Sequence, residues 1–194
     1  MKPIDSSKLM QALQLLNEQL ELNDCPAVSP VVCGGSALIA SGLVPRTTRD
    51  VDIVAMLHDD RLCSSEPLPD YLLEAAGRVG AMLNLPADWL NNGPASQFDM
   101  GLPDGLKERL QSVEVGSRLK VYFISRIDQI YFKTFAAADR GGYHISDLKR
   151  LMPEEDELYR AACWCMTQDV SEGFRMVLKQ MLTESGWGNV SGCL

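Results

Sequence analysis

Histidine is scarce in this chain: only two occur among 194 residues, His58 and His144. Neither stands near a Cys/His cluster, so metal ligation by either is not expected. Long apolar runs are missing as well. No stretch reaches the roughly eighteen residues needed to cross a bilayer, and the N-terminal MKPIDSSKLM lacks a hydrophobic signal core. Export and membrane insertion are therefore not expected, and a cytoplasmic location is. Positive charge is in short supply: 18 Lys and Arg face 26 Asp and Glu, for a net charge of −8. That balance argues against broad, non-specific nucleic-acid binding. A local basic surface built from Arg46, Arg49, Arg118, Lys120, Arg126, Lys133 and Arg140 stays open. Of six cysteines, only Cys163 and Cys165 lie close together. In a helix, positions i and i+2 face different directions, which favours buried reduced thiols over a zinc site. Repeats and low-complexity segments are absent.

What is present is the composition of an ordinary globular protein, 46% hydrophobic and 23% charged. The length fits one domain, or a core with a helical extension. Leu9, Leu13, Leu16 and Leu20 form a helical stripe over 5–22, with Asp5 or Ser6 as N-cap. Residues 31–33 read as a buried strand, 36–41 as a short helix, 45–49 as a loop and 51–57 as a second strand. Residues 58–69 are polar and turn-rich, which predicts an exposed loop. A helix is expected over 71–83, and 85–105 shows no single periodicity. Two strands follow over 112–117 and 118–125, around a turn near Gly116. From Arg126 onward the period is helical, over 127–139, 144–151, 154–167 and 171–182, and the tail 186–194 reads as loose. These elements predict an α+β fold, with residues 1–125 as an α/β core and 126–194 as a helical subdomain.

The most informative stretch is VVCGGSALIASGLVPRTTRDVDIVAM, residues 31–56. Gly34, Gly35 and Ser36 mark a strand-to-helix turn where backbone N–H groups can approach a phosphate, aided by the positive end of the helix. Asp50 and Asp52 stand two apart at the start of a strand, so their side chains are expected on one face. Unpaired and about 6–7 Å apart, the two charges would repel by about 2–3 kcal/mol. Mg²⁺ favours one or two carboxylates completed by phosphates and water, and would remove that cost. Each feature also has a plainer reading. Gly-Gly serves as a tight turn in many strands, and Asp52 would make an ordinary ion pair with Arg46 or Arg49. Lys133 reads as a lysine with its stem on the core and its head in water. Asp147 suits a first helical turn, and Arg140 a last one. Trp164 and Trp187 read as packing residues, whereas Trp89 is open to packing or to stacking on a base.

In combination, the Gly-Gly-Ser turn, the helix and the Asp-x-Asp strand resemble the nucleotidyltransferase superfamily, the DNA polymerase β-like fold. The segment YFKTFAAADRGGYHISDL, residues 131–148, is similar to the downstream Lys and Arg…Asp signature of AbiEii-type nucleotidyltransferases, which include toxins of bacterial toxin–antitoxin systems. The likeness spans roughly 31–151. It implies a mixed sheet flanked by helices, with a C-terminal helical subdomain. It implies that Gly34, Gly35 and Ser36 hold a nucleoside triphosphate and that Asp50 and Asp52 bind Mg²⁺. Lys133 would reach the triphosphate, Asp147 would orient Lys133 or the substrate, and Arg46 and Arg49 would neutralise phosphate charge. The implied reaction moves a nucleoside monophosphate onto a hydroxyl of RNA, notably tRNA, or of a protein, in a toxin held by a cognate antitoxin. An aminoglycoside-type small-molecule enzyme and an inactive nucleotide-binding module are the alternatives. Many members use a third carboxylate as base. Here the strand over 119–124 has no acid, and Glu114 and Asp99 are the nearest candidates.

Overall fold

The computed structural model describes residues 3–43 and 47–194. The chain forms two compact units, Met1–Asp99 with Gly105–Ile124, and Met100–Asp104 with Ser125–Leu194. Each is described by itself.

The first unit opens with α1 (Ser6–Leu22), where the Asp5 carboxylate caps the first turn by accepting from the Lys8 N–H at 2.8 Å. Leu9, Leu13, Leu16 and Leu20 are all buried, as the stripe predicts. Strand β1 (Pro30–Cys33) is buried along its whole length and runs directly into α2 (Gly34–Ala40). Then come β2 (Val51–His58), β3 (Arg61–Ser64), α3 (Asp70–Leu83), β4 (Leu90–Asn91) and α4 (Ala95–Asp99). A 3₁₀ turn (Lys107–Arg109) leads to β5 (Gln111–Glu114) and β6 (Lys120–Phe123). The strands lie in the order β3-β2-β1-β6-β5, and β4 pairs with the start of β2. Strands β1 and β6 are parallel, as are β2 and β4, while β1–β2, β2–β3 and β5–β6 are antiparallel. This is the mixed sheet of an α+β protein. Its core joins Leu13 and Leu16 of α1 and Leu72 and Val79 of α3 to Val32, Ile53, Val121 and Phe123 of the sheet.

Two local expectations change here, and a reading left open for Trp89 is decided. The loop expected over 58–69 contains β3. Asp59 and Asp60 adopt φ of +45° and +61°, making the two-residue turn that a tight hairpin needs. With Asp-Asp in place of a glycine-bearing pair, the turn carried no hairpin signal. Trp89 is fully buried, and its indole N–H donates to the Ala76 carbonyl at 2.8 Å. It is a core residue with no face left for a base. Finally, Cys33 and Cys165 are buried, whereas Cys63 and Cys193 are exposed, so buried thiols describe only part of the set.

The second unit is helical: α5 (Arg126–Arg140), α6 (Tyr143–Arg150), α7 (Glu155–Gln168), α8 (Glu172–Glu184) and α9 (Gly188–Gly192). Helix α5 packs against α6, α7 and α8. Its Tyr131, Phe132 and Phe135 rings surround Trp164, with centroids 5.5–6.4 Å away. Ser125 and Asp128 form a capping box at the start of α5. Gly141 and Gly142, with φ of +62° and +59°, turn the chain into α6. Arg126 grips Glu157 through two bonds of 2.7 and 3.0 Å and donates to the Leu151 and Met152 carbonyls. That guanidinium hydrogen bond holds the Glu157 carboxyl below its ordinary range. The tail is ordered rather than loose. Val190 is buried, and the Ser191 hydroxyl donates to the Lys179 carbonyl at 3.0 Å, fastening α9 to α8.

Candidate active site

The turn from β1 into α2 and the start of β2 are brought together by strand pairing. Cys33, the last residue of β1, lies opposite Asp52. Gly34 follows with φ of +69°, a conformation that side-chain-bearing residues rarely adopt. A Cβ placed on Gly34 would stand 2.4 Å from Oδ2 of Asp52. Glycine is thus required twice here, by the backbone and by the carboxylate packed against it. Gly34→Ala is expected to cost about 1–2 kcal/mol from the backbone alone, and to push the Asp52 carboxylate aside. Chemical denaturation measures the loss, and an unchanged midpoint would contradict the close approach.

The other oxygen of Asp52 is also engaged. Oδ1 accepts from the Asn91 Nδ2 at 3.2 Å, and β4 sets Asn91 directly opposite Asp52. Asp50 precedes the first residue of β2, and its Oδ1 accepts from the Thr48 hydroxyl at 3.1 Å. Thr48 exchanges two backbone hydrogen bonds with Ile4, of 2.8 and 2.9 Å, and the Val51 N–H donates to the Trp89 carbonyl. The acidic segment is therefore pinned from both sides before β2 begins. Asp50 and Asp52 are both half-buried and Arg49 is exposed. Gly35 and Ser36 are buried, and the Ser36 hydroxyl donates to the Cys33 carbonyl at 3.3 Å. Arg46 lies outside the described residues.

Lys133 and Asp147 belong to the second unit. Their Nζ–Oδ2 distance is 2.9 Å, and the side chains are only 5% and 1% exposed. The Tyr143 ring lies 5.8 Å from the ammonium. The reading of Lys133 as a lysine with its head in water is corrected: the head is buried because a carboxylate waits for it. Four further basic side chains are paired too, Arg118 with Asp24, Lys120 with Glu114, Arg126 with Glu157 and Arg140 with Asp139. Each unit thus neutralises these side chains internally.

Glu114, the nearest candidate for a third carboxylate, binds Lys120 at 2.6 Å on an edge strand. The registers of β5, β6 and β1 put it level with Ser29, four residues or about 13 Å along the strand from Cys33. It stands at the wrong end of the sheet. Asp99 ends α4 and is exposed. Among the described residues no group of three or more His, Cys, Asp and Glu converges. An oxygen-only set of two acids still suits Mg²⁺, which takes its remaining ligands from phosphates and water. A depression of about 480 Å³ lined by His58, Asp59, Arg61 and Cys63 lies at the hairpin end of β2, about 20 Å from Asp52.

Asn91 is the residue that sequence reasoning missed. In Leu90-Asn-Asn-Gly it reads as part of a turn, and a strand of two residues carries no alternation to detect.

A mixed sheet with a glycine turn packed on a strand-borne aspartate places the molecule among nucleotidyltransferase-like α+β proteins. The family described as "Nucleotidyltransferase of unknown function (DUF6036)" matches residues 7–150, well over half of the chain, and the chain belongs to that family. No curated protein and no solved structure gives a match. Among the described residues, no helix is long and apolar enough to cross a membrane.

Proposed function

We infer that the protein transfers a nucleoside monophosphate from a nucleoside triphosphate to an acceptor hydroxyl, with Asp50 and Asp52 holding Mg²⁺. The observation that carries this reading is the approach of the Asp52 carboxylate to Gly34. It sets a carboxylate suited to a hard cation beside a strand-to-helix turn, the kind of turn whose backbone can receive phosphate. When bound, the metal would stabilise negative charge building on the transferred phosphoryl group. Asp52 and Asp50 hold it in place, and the Gly34-Gly35-Ser36 backbone receives the phosphate tail. Arg49 and Arg46, just before the acids, offset phosphate charge. The reaction follows phosphoryl-transfer logic, in which positioning and electrostatics supply most of the rate. In this reading Lys133 and Asp147 serve the core of the second unit.

The acceptor is the finer question. Arg118, Lys120, Arg126, Lys133 and Arg140 are each paired to an acid, and the net charge of −8 argues against broad, non-specific binding of a phosphate backbone. That favours an acceptor engaged through a single hydroxyl: a protein side chain, a tRNA 3′ end or a small molecule. The AbiEii likeness extends the proposal to a toxin restrained by a cognate antitoxin. The test is incubation with Mg²⁺ and each of the four labelled triphosphates, against total RNA, cell protein and an aminoglycoside panel. Label is expected on one acceptor class, with pyrophosphate released in equal amount. Binding of triphosphate without pyrophosphate release would replace the enzyme with a nucleotide-binding module.

A further inference from the structure

We propose that Asn91 is a positioning residue for Asp52, and that its neutral amide restricts the site to one divalent cation. The inference rests on the reading of Asp50 and Asp52 as metal ligands given above.

The orientation of the amide is determined by its neighbours. Its Oδ1 accepts from the Gly93 N–H at 2.8 Å, and a Cβ on Gly93 would stand only 3.0 Å from that oxygen. Its Nδ2 is thereby turned the other way, toward Oδ1 of Asp52 at 3.2 Å and the Asp88 carbonyl at 3.3 Å. Exchanging the two ends would set oxygen against carboxylate and N–H against N–H. The amide therefore holds Asp52 by one oxygen, with Oδ2 on the side of Gly34. Such outer partners orient metal ligands and tune their affinity.

The same residue sets the charge. Asp50 and Asp52 carry two negative charges, which one divalent ion balances. At the register position beside Asp52 stands an amide N–H, which repels a second cation, and no third acid converges among the described residues. An acid at position 91 would reverse that.

Mn²⁺ alone, titrated into the full chain and followed by electron paramagnetic resonance, tests this without any assay of activity. The wild type is expected to bind one Mn²⁺ per chain. Asn91→Ala is expected to bind it about 10–100-fold more weakly with an unchanged circular dichroism spectrum. Asn91→Asp brings two carboxylates together, so it is expected to bind Mn²⁺ more tightly and to melt at a lower temperature until Mn²⁺ is added. Opposite shifts in the two variants are not what a merely structural amide would give. Equal affinity in all three proteins overturns the inference, as do two Mn²⁺ per wild-type chain. If Asn91→Ala does not fold, Asn91→Asp decides alone, and equal or weaker binding there overturns it. Absence of Mn²⁺ binding by the wild type overturns the metal reading and this inference together, whereas wild-type binding with indifferent variants sinks only the inference.

Discussion

Asp52→Asn is expected to lower nucleotidyl transfer by about 10²–10³-fold or more, with the fold intact. The substitution is isosteric, and the new amide oxygen still accepts from Asn91, so the contact between β2 and β4 survives. What disappears is the charge beside Gly34. A neutral amide is a poor ligand for a hard cation and gives no electrostatic support to a phosphoryl group gaining charge. Asp50→Asn should act in the same direction, because its amide oxygen still accepts from the Thr48 hydroxyl and only the charge is lost. Since both acids are proposed to serve one ion, the double variant should fall little further than either single one. Labelled-nucleotide transfer, with circular dichroism as the control for folding, checks all three proteins. Full transfer by both single variants would remove the proposed chemistry from this end of the sheet.

The parts of the site that the sequence revealed are those built by neighbours in the chain. Gly34 and Asp52 are only eighteen residues apart, and β1 pairs with β2 directly, so turn and acid meet through adjacent strands. The glycine and carboxylate also announce themselves by type: one needs a positive φ, the other interrupts the apolar run Val51-x-Ile53-Val54. Asn91 lies 39 residues from Asp52 and arrives on a two-residue strand, so neither spacing nor periodicity marks it. Glu114 looked eligible because sequence places it on a strand, and only the register shows which end of the sheet it occupies. Strand β3 was hidden by a turn without glycine, and α9 by a glycine at each end of a five-residue helix. In every such case the deciding contact is non-local, or the local signal is contradicted by its composition.

Removing either member of the Lys133–Asp147 pair is expected to destabilise the second unit by about 3–5 kcal/mol. Both side chains are almost wholly buried, and the ammonium and carboxylate meet at 2.9 Å. In Lys133→Met the buried carboxylate loses its ammonium, and in Asp147→Leu the buried ammonium loses its carboxylate. The double variant Lys133→Met/Asp147→Leu buries no charge and should be more stable than either single one, possessing a positive coupling that denaturant titration reads directly. This cycle also separates two roles for Lys133. Where the pair serves only the helical core, the double variant recovers transfer along with stability. Where the ammonium has work to do on the triphosphate, stability returns and transfer does not. Lys133 sits among Phe132, Phe135 and Ala136, where a sequence reading puts the head in water, because the partner enters from α6 across the Gly141-Gly142 turn. Single variants as stable as the wild type would mean that the pair is not buried as described.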